Sequence, residues 1–247
     1  MFEVRNGMAT SLVLLSALLA VLAATHGLSP LGWSVGLACG SVLCASVARG
    51  SARYGVRLLG PADAVTLARA TVACGVAALV AESLMTGAPA AALVPLAAGA
   101  LLLDAVDGRV ARRTGTVSAF GARFDGEADA FLILTLSVHA AHLVAPWVLV
   151  IGLARYAFGA LGRLVPWLRG DLPVRYWAKV VAAIQGVVLT VAASGVAPPA
   201  LTYAALLLAL ALLVESFGWS VRWLWRHRSP ARRGAPARTG PIGLRVP

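Results

Sequence analysis

Charge is scarce in this chain, and what there is lies unevenly. Of 247 residues only 13% are charged and ten are acidic, and of 21 basic residues one alone, Lys179, is a lysine. Mean hydropathy is +0.83, and 60% of residues are hydrophobic. A soluble core of this size cannot hide so much apolar side chain, which excludes an ordinary soluble domain. The three cysteines, Cys39, Cys44 and Cys74, sit inside apolar segments. They offer neither zinc spacing nor a disulfide framework and read as small packing residues. The alternating pattern of a membrane barrel is also missing, which leaves helices that satisfy their own backbone amides.

Apolar runs of about 17–25 residues span a bilayer as helices. Eight are read here, near 8–26, 31–48, 64–86, 89–111, 117–142, 146–167, 177–196 and 199–221. A net charge of +11 could point to nucleic acid, but its distribution points to topology, and no nucleic-acid partner is expected. The connections around His26–Pro30, Thr86–Ala88, Ala141–Pro146 and Val196–Pro199 contain no Lys or Arg. By the positive-inside rule both termini and the Asp-rich stretch are cytoplasmic. The first run lacks a small-residue cleavage site before a soluble domain and reads as a true span. Arginine in place of lysine, with abundant Ala, Gly and Val, suggests a GC-rich bacterial genome and hence an inner-membrane protein.

Four regions follow. Residues 1–48 form an added transmembrane hairpin, without a charge between Gly7 and Ala48. In 49–61, Arg49, Arg53 and Arg57 recur every four residues, which predicts a short amphipathic helix lying in the interface. A six-helix unit occupies 62–223. The tail 224–247, rich in Arg, Pro and Gly, is expected to be disordered.

Half of the acidic residues fall between Asp104 and Asp129, in "DAVDGRVARRTGTVSAFGARFDGEAD". At about 100° per residue, Asp104, Asp107, Gly108 and Ala111 share one helical face, and Arg109 and Arg113 point away. Gly121, Asp125 and Asp129 share a face of the next helix, while Glu127 and Arg123, four apart, can pair weakly on its opposite side. An antiparallel hairpin around "RRTGTVS" would bring the four aspartates together. Converging carboxylates raise one another's pKa and need a cation. Oxygen-only ligands imply a hard ion, Mg²⁺ or Mn²⁺. Ionisable residues in membrane segments mark function by default, and a metal site at a membrane surface suits phosphate chemistry. The plainer alternative has these aspartates capping helix ends or pairing with Arg109, Arg112 and Arg123.

The spacing Asp104-x2-Asp107-Gly108-x2-Ala111-Arg112-x8-Gly121-x3-Asp125-x3-Asp129 resembles, at every position, the signature of the CDP-alcohol phosphatidyltransferases. The resemblance implies that Asp104, Asp107 and Asp125 hold two divalent ions, Mg²⁺ or Mn²⁺. Asp129 would share a metal and act as the catalytic base. Gly108, Ala111, Arg112 and Gly121 would shape the CDP pocket. "DAVTLAR" is similar to the family's Asn-x2-Thr-x2-Arg segment, with Asp63 in place of Asn, so Thr66 and Arg69 would help to hold the nucleotide. Asp63, close after Pro61, is equally read as a helix N-cap. "AKVVAAIQGVVL" resembles Gly-Lys-x-Lys-Thr-x2-Gln of phosphatidylglycerophosphate synthases, with Lys179 and Gln185 in place and Ala178, Val181 and Ala182 departing. Arg155, Arg163, Arg175 and Lys179 are the candidate acceptor-binding residues. Arg155, well inside its span, calls for a buried polar partner.

The fold expected is therefore an all-α integral membrane protein of about eight transmembrane helices, six of them the family core, assembled as a homodimer. The function expected is transfer of a phosphatidyl group from CDP-diacylglycerol or another CDP-alcohol to a small alcohol, among membrane lipids, with release of CMP. Glycerol 3-phosphate is the favoured acceptor. A divalent-cation transporter and an aspartate-motif prenyltransferase are the rivals. The first leaves Gly108, Ala111 and Gly121 unexplained, and the second spaces its aspartates differently. A catalytically silent paralogue sits poorly with an intact motif.

Overall fold

The computed structural model describes residues 2–86, 91–114, 118–170, 172–173 and 175–228, apart from the side chains of 105, 107, 109–112, 114 and 169. Among the described residues, eight long helices follow one another: α1 (Val4–His26), α2 (Pro30–Tyr54), α3 (Pro61–Thr86), α4 (Leu93–Thr114), α5 (Ala119–Leu143), α6 (Leu149–Leu164), α7 (Tyr176–Ser194) and α8 (Pro199–Arg226). Local chemistry sets several ends. Ser29 caps α2 by accepting from the Gly32 amide (3.3 Å), with Pro30 at the first helical position. Ser118 caps α5 in the same way, accepting from Gly121 (2.9 Å). The chain is an all-α membrane protein. Among the described residues, six segments are long and apolar enough to cross a bilayer: α1, α2, α3, Pro146–Leu164, α7 and α8. The other two helices carry the aspartates: the apolar part of α4 is Leu93–Asp104, and α5 bears Arg123, Asp125, Glu127 and Asp129 in its first half.

The predicted interfacial helix at 49–61 is not a separate element. Nothing between Ala48 and Tyr54 breaks a helix, so α2 carries Arg49 and Arg53 on its last two turns. It stops at Gly55, whose left-handed backbone (φ 67°) glycine adopts without steric cost. The chain then runs extended. Leu58–Leu59 (β2) pairs antiparallel with Phe2–Glu3 (β1), and the Val4 amide donates to Arg57 O (3.1 Å). Arg57 therefore belongs to a strand-like link pinned by the N-terminus. At the other end, α8 continues to Arg226, three residues beyond the boundary read from sequence, and the tail from 229 onward lies outside the described residues.

α3 is the central helix, buried along most of its length by α1, α2, α4 and α5. Its sequence explains this, being rich in Ala and Val on every side with no polar face to solvate. The hairpin docks on it through small residues. A Cβ on Gly36 would lie 3.2 Å from Ala78 Cβ, and one on Gly75 2.6 Å from Leu18 Cδ2. Two polar contacts reinforce the packing: Ser11 Oγ to Thr71 Oγ1 at 2.7 Å, and the Ser29 amide donating to buried Glu82 at 2.8 Å. The hairpin is thus joined to the bundle along its whole length.

α5 and α6 approach closely at Gly152, where a Cβ would come within 2.7 Å of Leu134 Cα and 2.8 Å of Ser137 Oγ. α7 is tied to α8 by buried Gln185, which donates to Ala209 O (2.8 Å), so this position serves the fold. Because backbone cannot yield as a side chain can, Gly152→Ala should separate α5 from α6 and cost about 1–3 kcal/mol. A thermal melt in detergent should show a lowered Tm. Val150→Ala, at a position 51% exposed, should leave the melt unchanged.

Candidate active site

Three helices build the site. Gly60 begins α3, since its carbonyl accepts from Ala64 N (3.0 Å), but it has no side chain with which to cap. Asp63 does so from the first turn, its Oδ2 accepting from the Gly60 amide at 2.9 Å. One turn on, Thr66 is buried and donates to Ala62 O (3.2 Å). Arg69 follows on the same side of α3 and is 2% exposed, the largest fully buried side chain described.

Arg69 reaches the aspartates of α4 and α5. Its Nη1 lies 2.8 Å from Asp104 Oδ1 and also contacts Asp129 Oδ1. Its Nη2 contacts Asp125 Oδ1 and lies 3.5 Å from the Asp125 carbonyl oxygen. One carboxylate oxygen from each of Asp104, Asp125 and Asp129 falls within 4.8 Å of the others. The convergence read from helical angles is therefore present for these three. Asp107, Ala111 and Arg112 lie on α4, but their side chains are outside the described residues. Gly108, one turn beyond Asp104, is half-buried.

The charge balance explains the arrangement. A buried guanidinium left without its carboxylates would cost about 3–5 kcal/mol, and three carboxylates this close repel without a cation. Each need meets the other. The aspartate side chains stay 38%, 32% and 31% exposed, so the cluster opens outward while Arg69 forms its floor. The donor set is entirely carboxylate oxygen, which fits a hard divalent ion. The ionic partner of these aspartates is Arg69 on α3. The sequence placed Arg69 on the nucleotide and a divalent ion among the aspartates, with Arg109, Arg112 and Arg123 as their partners in the plainer alternative alone. Depth in an apolar helix was the signal for it, because an ionisable group there requires a partner.

The other candidates divide. Arg155 of α6 lies against α5 at Gly126, where a Cβ would sit 2.9 Å from its Nη2, and Glu127 pairs with it at 3.6 Å. Glu127 thus turns to Arg155, and the pair is half exposed (49% each) where a buried partner was expected. Arg175, just before α7, is held on α8, 3.9 Å from Glu215 and 3.9 Å above the Trp219 ring. Trp177 Nε1 donates to the same Glu215 (2.7 Å). Arg163 in the last turn of α6 and Lys179 on α7 are exposed.

Gly121, expected to shape a nucleotide pocket, leaves room for Asp63: a Cβ there would lie 2.6 Å from Asp63 Oδ1. Gly121→Ala should therefore lower the Tm, and the loss should be smaller in an Asp63→Ala background. Neighbouring sites couple by about 0.5–3 kcal/mol in such a cycle. Additive effects across the four melts would mean that the two residues do not share this space.

A sequence model of the CDP-alcohol phosphatidyltransferase family matches residues 59–217, more than half of the chain. Comparisons with curated proteins and with solved structures return no match. The matched segment opens at Leu59 and runs from α3 into α8, taking in Arg69 and every aspartate of the cluster and leaving α1 and α2 outside. This chain belongs to the CDP-alcohol phosphatidyltransferase family, transferases of phospho-alcohol groups in phospholipid synthesis.

Proposed function

We propose that the protein transfers the phosphatidyl group of CDP-diacylglycerol to an alcohol, releasing CMP, with glycerol 3-phosphate as the favoured acceptor. The observation that carries the proposal is the convergence of Asp104, Asp125 and Asp129 from two helices of the matched segment. Their oxygens, with Asp107 as the fourth motif carboxylate, would hold two divalent ions, Mg²⁺ or Mn²⁺. Ions held there supply neutralisation of the diphosphate as charge passes to the leaving group.

The chain's own residues do the rest. Asp129 takes the proton from the acceptor hydroxyl. The alcohol oxygen forms a new bond to the lipid-side phosphorus, and the bond from that phosphorus to the CMP oxygen breaks, its electron pair leaving with CMP. The open side of the cluster admits the headgroup while the acyl tails stay in the bilayer. Thr66, Gly108, Ala111, Arg112 and Gly121 line the nucleotide side, with Arg69 reaching it from the floor. Arg155, against Gly126 and half exposed, supplies positive charge for a phosphorylated acceptor, with Arg163, Arg175 and Lys179 adding to the field at that end. The arginine distribution supports placing the site and both termini on the cytoplasmic face of a bacterial inner membrane. Assembly as a homodimer belongs to the same proposal.

Purified protein incubated with CDP-diacylglycerol, Mn²⁺ or Mg²⁺ and a panel of alcohols should release CMP, and mass spectrometry of the lipid product names the acceptor. Asp129→Asn should slow release by about 10²- to 10⁴-fold, the usual worth of a general base. Asp125→Asn should cost more. Undiminished release by both variants would sink the assignment, and divalent-cation flux into proteoliposomes without CMP would favour a transporter. Chelation should abolish release, and either Mg²⁺ or Mn²⁺ should restore it. Activity that persists in excess chelator would remove the metal from the reading.

A further inference from the structure

Arg69 presents a conflict of occupancy. Its guanidinium sits where the oxygens of Asp104, Asp125 and Asp129 come together, and those oxygens are the ones a divalent ion would use. A Mg²⁺ ion lies about 2.0–2.1 Å from its oxygen ligands. An ion held by these three atoms would crowd into contact with Nη1 and Nη2 of the guanidinium, placing two cations together with no hydration between them. The guanidinium and the ion cannot share the space as it stands. Nor is Arg69 a surface side chain that has folded inward. It is 2% exposed, it springs from the third turn of the most buried helix, and its contacts reach both α4 and α5.

We infer that Arg69 is a positioning residue that serves as the resident counter-cation of the aspartate site, and that metal loading is a cation exchange. Without a divalent ion, the guanidinium holds Asp104, Asp125 and Asp129 together against their mutual repulsion. On loading, it withdraws from those oxygens. The inference rests on the metal-site part of the reading above and not on the identity of donor or acceptor. It adds a consequence that a nucleotide-binding role for Arg69 does not have. The affinity of the nucleotide-free protein for metal is set partly by the side chain the metal must displace. The pre-formed geometry and the weakened affinity come from the same residue.

The test is Mn²⁺ binding to the full-length protein in detergent without nucleotide, followed by the electron paramagnetic resonance of free Mn²⁺. Thermal melts with and without Mn²⁺ run in parallel. Arg69→Gln keeps the hydrogen-bonding head and loses the charge. It should bind Mn²⁺ at least about tenfold more tightly than wild type, since a unit charge within a few ångströms of the ion has been removed. Its metal-free form should melt below wild type, and saturating Mn²⁺ should restore more of the Tm than it adds to wild type. Arg69→Lys retains a charge without the fork and should fall between the two. If Arg69→Gln cannot be purified, Arg69→Lys decides the question alone: binding tighter than wild type supports the exchange, and equal or weaker binding overturns it. Equal or weaker binding by Arg69→Gln overturns it likewise. Wild-type protein that binds no Mn²⁺ overturns the metal site itself and the exchange with it.

Discussion

The structure turns on a single electrostatic requirement: carboxylates gathered inside an apolar bundle must have a cation among them. Asp104, Asp125 and Asp129 approach within 4.8 Å, and Arg69 meets all three from the opposite wall. In water such a cluster would be weakly coupled. Between packed helices the effective dielectric is lower, so repulsion and attraction both grow. The cluster therefore fixes the relative register of α3, α4 and α5, because each helix contributes a charge the others need. Apolar packing alone would tolerate a shift of one helix along another far more easily.

Holding that register is a mechanical task, and the hairpin outside the family segment shares it. Val47 of α2 and Leu59 pack with Leu67 and Ala70 of α3 and with Phe120, Phe124 and Ala128 of α5. Ala70, Phe124 and Ala128 are the sequence neighbours of Arg69, Asp125 and Asp129. Phe120 stacks on Phe124 (5.9 Å between centroids), and Tyr54, the last residue of α2, meets Phe120 edge-on. This apolar wedge backs the charged face at the same level of the bundle. Ser11 and Thr71 add a buried hydrogen bond, two residues from Arg69 along α3. Docking of α1 and α2 thus bears directly on the helices that carry the site, although the hairpin supplies no charge to it.

Much of this was legible beforehand, for physical reasons that also mark where legibility ended. Helix number and order followed from apolar run lengths, because backbone satisfaction in lipid leaves few alternatives. The face shared by Asp125 and Asp129 followed from helical periodicity, which is local. Arg69 as the partner of those aspartates did not follow, since 56 to 60 residues separate them along the chain and pairing across that distance depends on packing. The close approach of Asp63 to Gly121 did not follow for a related reason: a glycine next to a functional carboxylate suggests space for ligand, and which neighbour meets it depends on packing between helices. The link at 49–61 failed on a third ground. Arginines every four residues suit either an interfacial helix or the end of a longer one, and what separated the two was pairing of the link with the N-terminal residues.

The two long helices not apolar enough throughout to cross a bilayer are the two that bear the aspartate cluster, and this follows from what such a site must do. A lipid-linked diphosphate brings charge to the edge of the hydrocarbon and leaves its tails within it. A segment that meets the charge must itself break the apolar pattern, as α4 does beyond Asp104 and α5 does before Ala130. That break is tolerable only if neighbouring helices shield it from lipid. α3 performs this service with an uncharged, mostly small and apolar run from Ala70 to Val80, and Arg69 sits one residue before that run begins. The apolar continuity of α3 and the discontinuity of α4 and α5 are therefore one design constraint seen from opposite walls of the same site.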